Sequence, residues 1–170
     1  MGHRAAPRRL AVWLVILGVG LGGVGAAAAE TWGGITPGRT TRKEVEALYG
    51  RPSRERTVTE GGRSAAEWTY AGDRAPRGLD RMIVGFGLLG PRGFAPELVR
   101  ALTLYPKPRV FSLEAITNGW GRPDAIGTDG ETGRPAFRYD AKALLIVLDP
   151  TGSWAETLLL GPEKPTATSR

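Results

Sequence analysis

The chain contains no cysteine. That removes disulfides, thiol nucleophiles and thiolate metal sites together, and with them any side chain that could carry a lipoprotein's lipid. Histidine is almost missing as well. His3 is the single one, and it sits in a segment read below as a cleaved leader. Without it no imidazole remains to serve as base, proton shuttle or metal ligand. Ser64, Ser112 and Ser153 therefore have no His partner, and none lies in a Gly-x-Ser-x-Gly elbow. A one-sided charge is lacking too. The formal +6 falls to +3, 20 basic against 17 acidic residues, once Arg4, Arg8 and Arg9 leave with the leader. That balance describes an ordinary soluble surface and gives no footprint for nucleic acid. No two carboxylates have a spacing that argues for acid–base work: Glu44 belongs to a helix cap, Asp149 to a turn and Asp140 to a strand end. Gly85-x-Gly87-x-x-Gly90 matches a dinucleotide fingerprint in letters only, because Pro91 follows and no helix opens there. No catalytic residue, cofactor or metal is expected.

What is present begins with the N-terminus. Three arginines precede an uncharged run from Leu10 to Ala29, apolar in its first half and Gly- and Ala-rich in its second. Basic, apolar and small-residue regions in that order make a secretory signal, with cleavage expected before Glu30. Twenty uncharged residues could also anchor the chain in a membrane. The five glycines between Gly18 and Gly25 weaken that reading, since glycine costs helix stability and adds no apolar area.

The most informative run is 38–52. Thr41 and Glu44 have capping-box spacing. Val45, Leu48 and Tyr49 fall on one face of a short helix, expected to be buried. Gly50 can end that helix and Pro52 forbids its continuation. The run returns 71 positions later at 112–123: Ser112 aligns with Thr41, Ile116 with Val45, Trp120 with Tyr49, and Gly-Arg-Pro with Gly-Arg-Pro. An internal repeat sets architecture, so it outranks other local signals.

In the first half, 54–59 is a weak strand, and Ala66, Trp68 and Tyr70 alternate with polar residues as a half-buried strand. Arg81–Phe86 and Val99–Tyr105 are strands, and the Gly- and Pro-rich stretch 87–97 between them reads as a long loop. In the second half Phe137 and Tyr139 echo Trp68 and Tyr70. Residues 143–148 and 155–160 are strands joined by a type I turn at 149–152. The spacing thus predicts an α+β chain of two tandem helix-plus-three-strand units, an antiparallel sheet with helices packed on one face. The units span 30–106 and 107–162, after a signal peptide at 1–29 and before a flexible polar tail at 163–170.

The pattern at 38–52, Gly-x-Thr-Thr-x-x-Glu-Val-x-x-Leu-x-Gly-x-Pro, followed by Trp-x-Tyr at 68–70, resembles the SmpA/OmlA (BamE-like) domain. That domain shares its fold with the tandem units of the β-lactamase inhibitor protein. The resemblance implies an exported bacterial protein, periplasmic or secreted. It implies a non-enzymatic module that binds a protein partner in the cell envelope, with an outer-membrane assembly or stability factor as the alternative. An enzyme acting on an envelope polymer through paired carboxylates is the alternative from another class. No nucleic acid is expected as partner, and membrane contact only through an uncleaved N-terminus. Aromatic and large apolar residues in loops are the candidate contacts: Leu88, Leu89 and Phe94 in the long loop, and Trp154 beside the tight turn.

Overall fold

A computed structural model describes residues 29–163. All but the last residue of the expected signal peptide, and the tail beyond Glu163, lie outside the described residues.

Helix α1 (Arg42–Tyr49) starts where the capping box predicts. The Glu44 N–H donates to the Thr41 hydroxyl oxygen, and the Thr41 N–H donates to the Glu44 carboxylate at 2.7 Å. Strands β1 (Arg54–Glu60), β2 (Arg63–Ala71), β3 (Leu79–Gly90) and β4 (Gly93–Pro106) follow. The second half repeats the order as α2 (Leu113–Trp120), β5 (Ala125–Thr128), β6 (Pro135–Tyr139), β7 (Leu144–Leu148) and β8 (Ala155–Leu160). Ser112 caps α2 by accepting from the Ala115 N–H. Tyr70 donates from its hydroxyl to the Gly50 carbonyl and Tyr139 to the Gly121 carbonyl, the same bond in each half at 3.0 and 3.1 Å. A 3₁₀ turn follows each of these tyrosine strands, at Gly72–Arg74 and Asp140–Lys142.

The expected two tandem helix-plus-three-strand units with helices packed on a face do not form. The chain makes one eight-stranded antiparallel sheet in the order β1-β2-β3-β4-β8-β7-β6-β5, against which the two helices contribute only eight residues each. Two physical facts account for the difference. Each half carries a fourth strand at the sheet edge, where no two-sided burial imposes alternation: β1 is charged, and β5 is four residues long. The halves also merge, because β4 and β8 pair directly. Their apolar residues form rows that cross the seam. Trp68, Val84, Leu102, Leu160, Leu144 and Tyr139 stand opposite one another in sequence across six strands, and all are buried. Tyr70, Met82, Leu104, Leu158, Ile146 and Phe137 make a second such row. Side chains at i and i+2 share a sheet face, so both rows lie on one side and form one core.

The helices join that core through Val45 and Ile116, both fully buried, with Tyr49 and Trp120 partly buried against it. Leu48 does not: it is 52% exposed. An eight-residue helix turns a narrow stripe inward, and Val45 and Tyr49 at i, i+4 fill it. Leu48 lies on the flank, over Gly34 in the lead-in segment.

The opposite face carries no such row of fully buried side chains. Its central register runs Arg54, Thr69, Ile83, Thr103, Leu159, Leu145, Arg138 and Ala125 through all eight strands.

Candidate functional site

The stretch 87–97 is not a loop. β3 and β4 continue through it as a hairpin, with Leu88 opposite Ala95, Leu89 opposite Phe94 and Gly90 opposite Gly93, so that only Pro91 and Arg92 turn. Glycine and proline density marks breaks in most strands, but this hairpin runs on past its pairing with β2 and β8. Among residues 88–96 none is buried, and an edge-like ribbon tolerates glycine that a central strand would not.

The pairing separates the candidate residues. Leu88 turns toward Gly38 in the lead-in ahead of α1, where a Cβ on that glycine would come within 3.8 Å of its Cδ2. Leu89 is 65% exposed. Phe94 is half-buried because its ring rests on Gly87. A Cβ at Gly87 would stand 2.8 Å from the ring's Cζ and 2.9 Å from the Ala65 Cβ, and φ is +82°, so glycine alone fits. Arg63 covers the ring's other side, its guanidinium carbon 5.4 Å from the centroid. Leu88, Leu89, Phe94, Gly61, Arg63 and Arg100 bound a concavity of about 280 Å3. Three of the four sequence candidates therefore meet in one place, and Arg63 and Gly87 complete it. The seat at Gly87 had a trace in the sequence, a glycine between Phe86 and Leu88 inside an apolar run. Arg63, a turn residue by local pattern, had none.

Trp154 stands elsewhere, at the opposite end of the strands. It bridges to Ser112 at the α2 cap, and its N–H donates to the Asp149 carboxylate at 3.0 Å. With Asp80, Tyr105, Arg109, Asp149 and Glu156 it lines a cavity of about 620 Å3. Two of those carboxylates are engaged. Asp149 accepts from the Thr151 hydroxyl at 2.7 Å and from the Ser153 N–H at 2.8 Å. These bonds, the Thr151 hydroxyl foremost, hold its carboxyl below the ordinary carboxylate range. Glu156 pairs with Arg134. Asp149 thus holds the turn between β7 and β8, and Glu156 an ion pair to β6's lead-in. Among the described residues no cluster of His, Cys, Asp or Glu gathers to hold a metal ion, and no helix is long and apolar enough to cross a membrane.

No family model matches the chain, and no curated protein matches it. Among solved structures it is similar to a DUF4309 family protein, YjgB, from Bacillus subtilis, at 17% identity and a TM-score of 0.47, over 76% of this chain and 82% of that one.

Proposed function

We propose that this chain is a non-enzymatic, exported interaction module of the cell envelope, and that it holds a protein partner with the tip of the β3–β4 hairpin and the open sheet face beside it. The observation that carries this reading is Leu89, 65% exposed beside Phe94 on a hairpin extension that the shorter hairpin of the second half does not have. A large apolar residue displayed at the end of a rigid ribbon is costly to leave in water and is what a partner's pocket covers. The engaged carboxylates around Trp154 support a binding role over hydrolysis of an envelope polymer. The tripartite N-terminus supports export, and the resemblance at 38–52 supports the envelope. An outer-membrane assembly factor is a narrower form of the same reading.

The test is to cut the hairpin back by replacing residues 88–96 with Asn-Gly and to cross-link the mature protein to its neighbours in its native envelope. Because none of the removed side chains is buried, the melting midpoint should move by no more than about 5 °C, while the cross-linked partner disappears. A partner that stays bound with the hairpin gone overturns the proposal.

A further inference from the structure

The concavity at the hairpin has an asymmetric chemistry that points to the kind of segment it takes. Its floor is apolar, made by Leu89 and Phe94, and of the charged residues described along its rim, Arg63 and Arg100, both are basic. Arg63 is held in place by the Phe94 ring. Stacking occupies the flat face of a guanidinium and leaves its in-plane N–H groups pointing outward, the geometry that grips a carboxylate with two parallel bonds. Glu60 is the position opposite Arg63 on β1, and Arg100 on the same rim has a partner of its own. The surroundings carry the same sign. On the open face of β1 and β2 the basic positions are Arg54, Arg56 and Arg63 and the acidic ones Glu60 and Glu67, and Glu67 is taken by Arg56 at 2.6 Å.

We infer that the occupant is an acidic segment of the partner protein, with one large apolar side chain seated against Leu89 and Phe94 and a neighbouring carboxylate bound by Arg63. The inference rests on the hairpin being the contact site and names the chemistry of what binds there. A concavity of about 280 Å3 has room for one such side chain. The arginines beyond it steer and select by charge, so affinity should fall as salt screens them.

The experiment uses the mature chain and three probes: a displayed library of random heptapeptides, the fluorescein-labelled peptides recovered from it, and vesicles of 70% phosphatidylethanolamine and 30% phosphatidylglycerol. The library should enrich sequences with Asp or Glu beside Leu, Ile, Phe or Trp. By anisotropy these should bind at least tenfold more weakly to Arg63→Glu and to Phe94→Ala, and several-fold more weakly on raising salt from 50 to 300 mM. Arg63→Lys should restore only part of the loss, because an ammonium cannot form the paired contact. Basic or uncharged consensus sequences, an unenriched library, or Arg63-dependent flotation with the vesicles in place of peptide binding would each overturn the inference. If hairpin removal abolishes partner cross-linking while Arg63→Glu leaves it unchanged, the hairpin remains the contact site and the acidic occupant is wrong.

Discussion

The two halves of this sheet are built on one frame and finished differently. Both start with a hydroxyl-capped helix of eight residues that buries one β-branched side chain, and both tie the residue after the helix to a tyrosine on the second strand. They part at the third and fourth strands. In the first half these run 12 and 14 residues and project as a hairpin; in the second they run 5 and 6 residues and close in a turn held by Asp149. The open faces differ as well. β1–β4 display arginines, whereas Arg134 and Arg138 of the second half are paired with Glu156 and Asp140, and Leu145 and Leu159 lie between the strands' polar ends. What is shared lies in the core and the caps and answers to folding. What differs lies at the tip and on the open face, where folding makes no demand, and so is the part available for recognition.

The comparison breaks most sharply at the seam. If the halves were independent units, a core cavity in one would leave the other intact. Leu104 is fully buried on β4, opposite Met82 of its own half and Leu158 of the other. Leu104→Ala should cost about 2–5 kcal/mol, as for a core leucine. Urea unfolding followed by fluorescence and by far-ultraviolet circular dichroism should show one coincident transition, shifted as a whole. Two transitions, one of them at the wild-type midpoint, would separate the halves.

A smaller effect distinguishes the caps. Thr41 and Glu44 satisfy each other reciprocally, while Ser112 has Ala115 where an acid would return the bond. Thr41→Ala and Ser112→Ala should each cost about 1 kcal/mol. Only the first should also alter the response to acid. Bonds from the Thr41 N–H, and then from its hydroxyl, lower the Glu44 pKa from 4.5. A depressed carboxyl stabilises the fold above its unfolded pKa, and that contribution fades as pH falls through the depressed folded value. Thermal melts between pH 7 and 3 should therefore show Thr41→Ala losing part of the wild-type acid sensitivity and Ser112→Ala keeping all of it.

The frame was legible in the sequence where local chemistry and tertiary demand coincide. The capping box at Thr41 and Glu44, the stop at Gly50, and the alternation of Trp68 and Tyr70 each follow from one physical requirement, and the 71-residue repeat doubled the signal. The misreadings occur where the two part. Strand β5 presents Ile126 70% exposed at an edge, so nothing in its four residues had to alternate. The hairpin at 87–97 carries glycines that local pattern assigns to a loop, yet Gly87 is there to seat the Phe94 ring, a contact between residues on different strands. The union of the halves through β4 and β8 depends on matching apolar rows in distant segments, which a strand-by-strand reading cannot register. The candidate site was half visible for the same reason: its apolar members stand out in sequence, and the arginine that flanks them arrives only by folding.

The finest difference between the halves concerns the paired tyrosines. Tyr70 and Tyr139 donate equivalent hydroxyl bonds to Gly50 and Gly121, and removing either hydroxyl leaves a partly buried carbonyl without its partner, at about 1 kcal/mol. Their ionisation is not equivalent. Burial, with the negative field of Glu46 and the neighbouring Tyr49 adding to it, pushes the Tyr70 phenol from 10.0 up to about 12. Tyr139 is raised by burial and by Asp124. A raised phenol stabilises the fold fully below its unfolded pKa of about 10, and the contribution is lost as pH climbs from there through the folded value, since the unfolded chain gives up its proton first. Tyr70→Phe should lower the urea midpoint at pH 8 and flatten its decline between pH 10 and 12. Tyr139→Phe should lower it by a similar amount at pH 8 and flatten the alkaline limb less. Equal flattening by both substitutions would show that burial and the neighbouring Tyr49 do not set Tyr70 apart from Tyr139, and the two halves would then be electrostatically alike at their tyrosines.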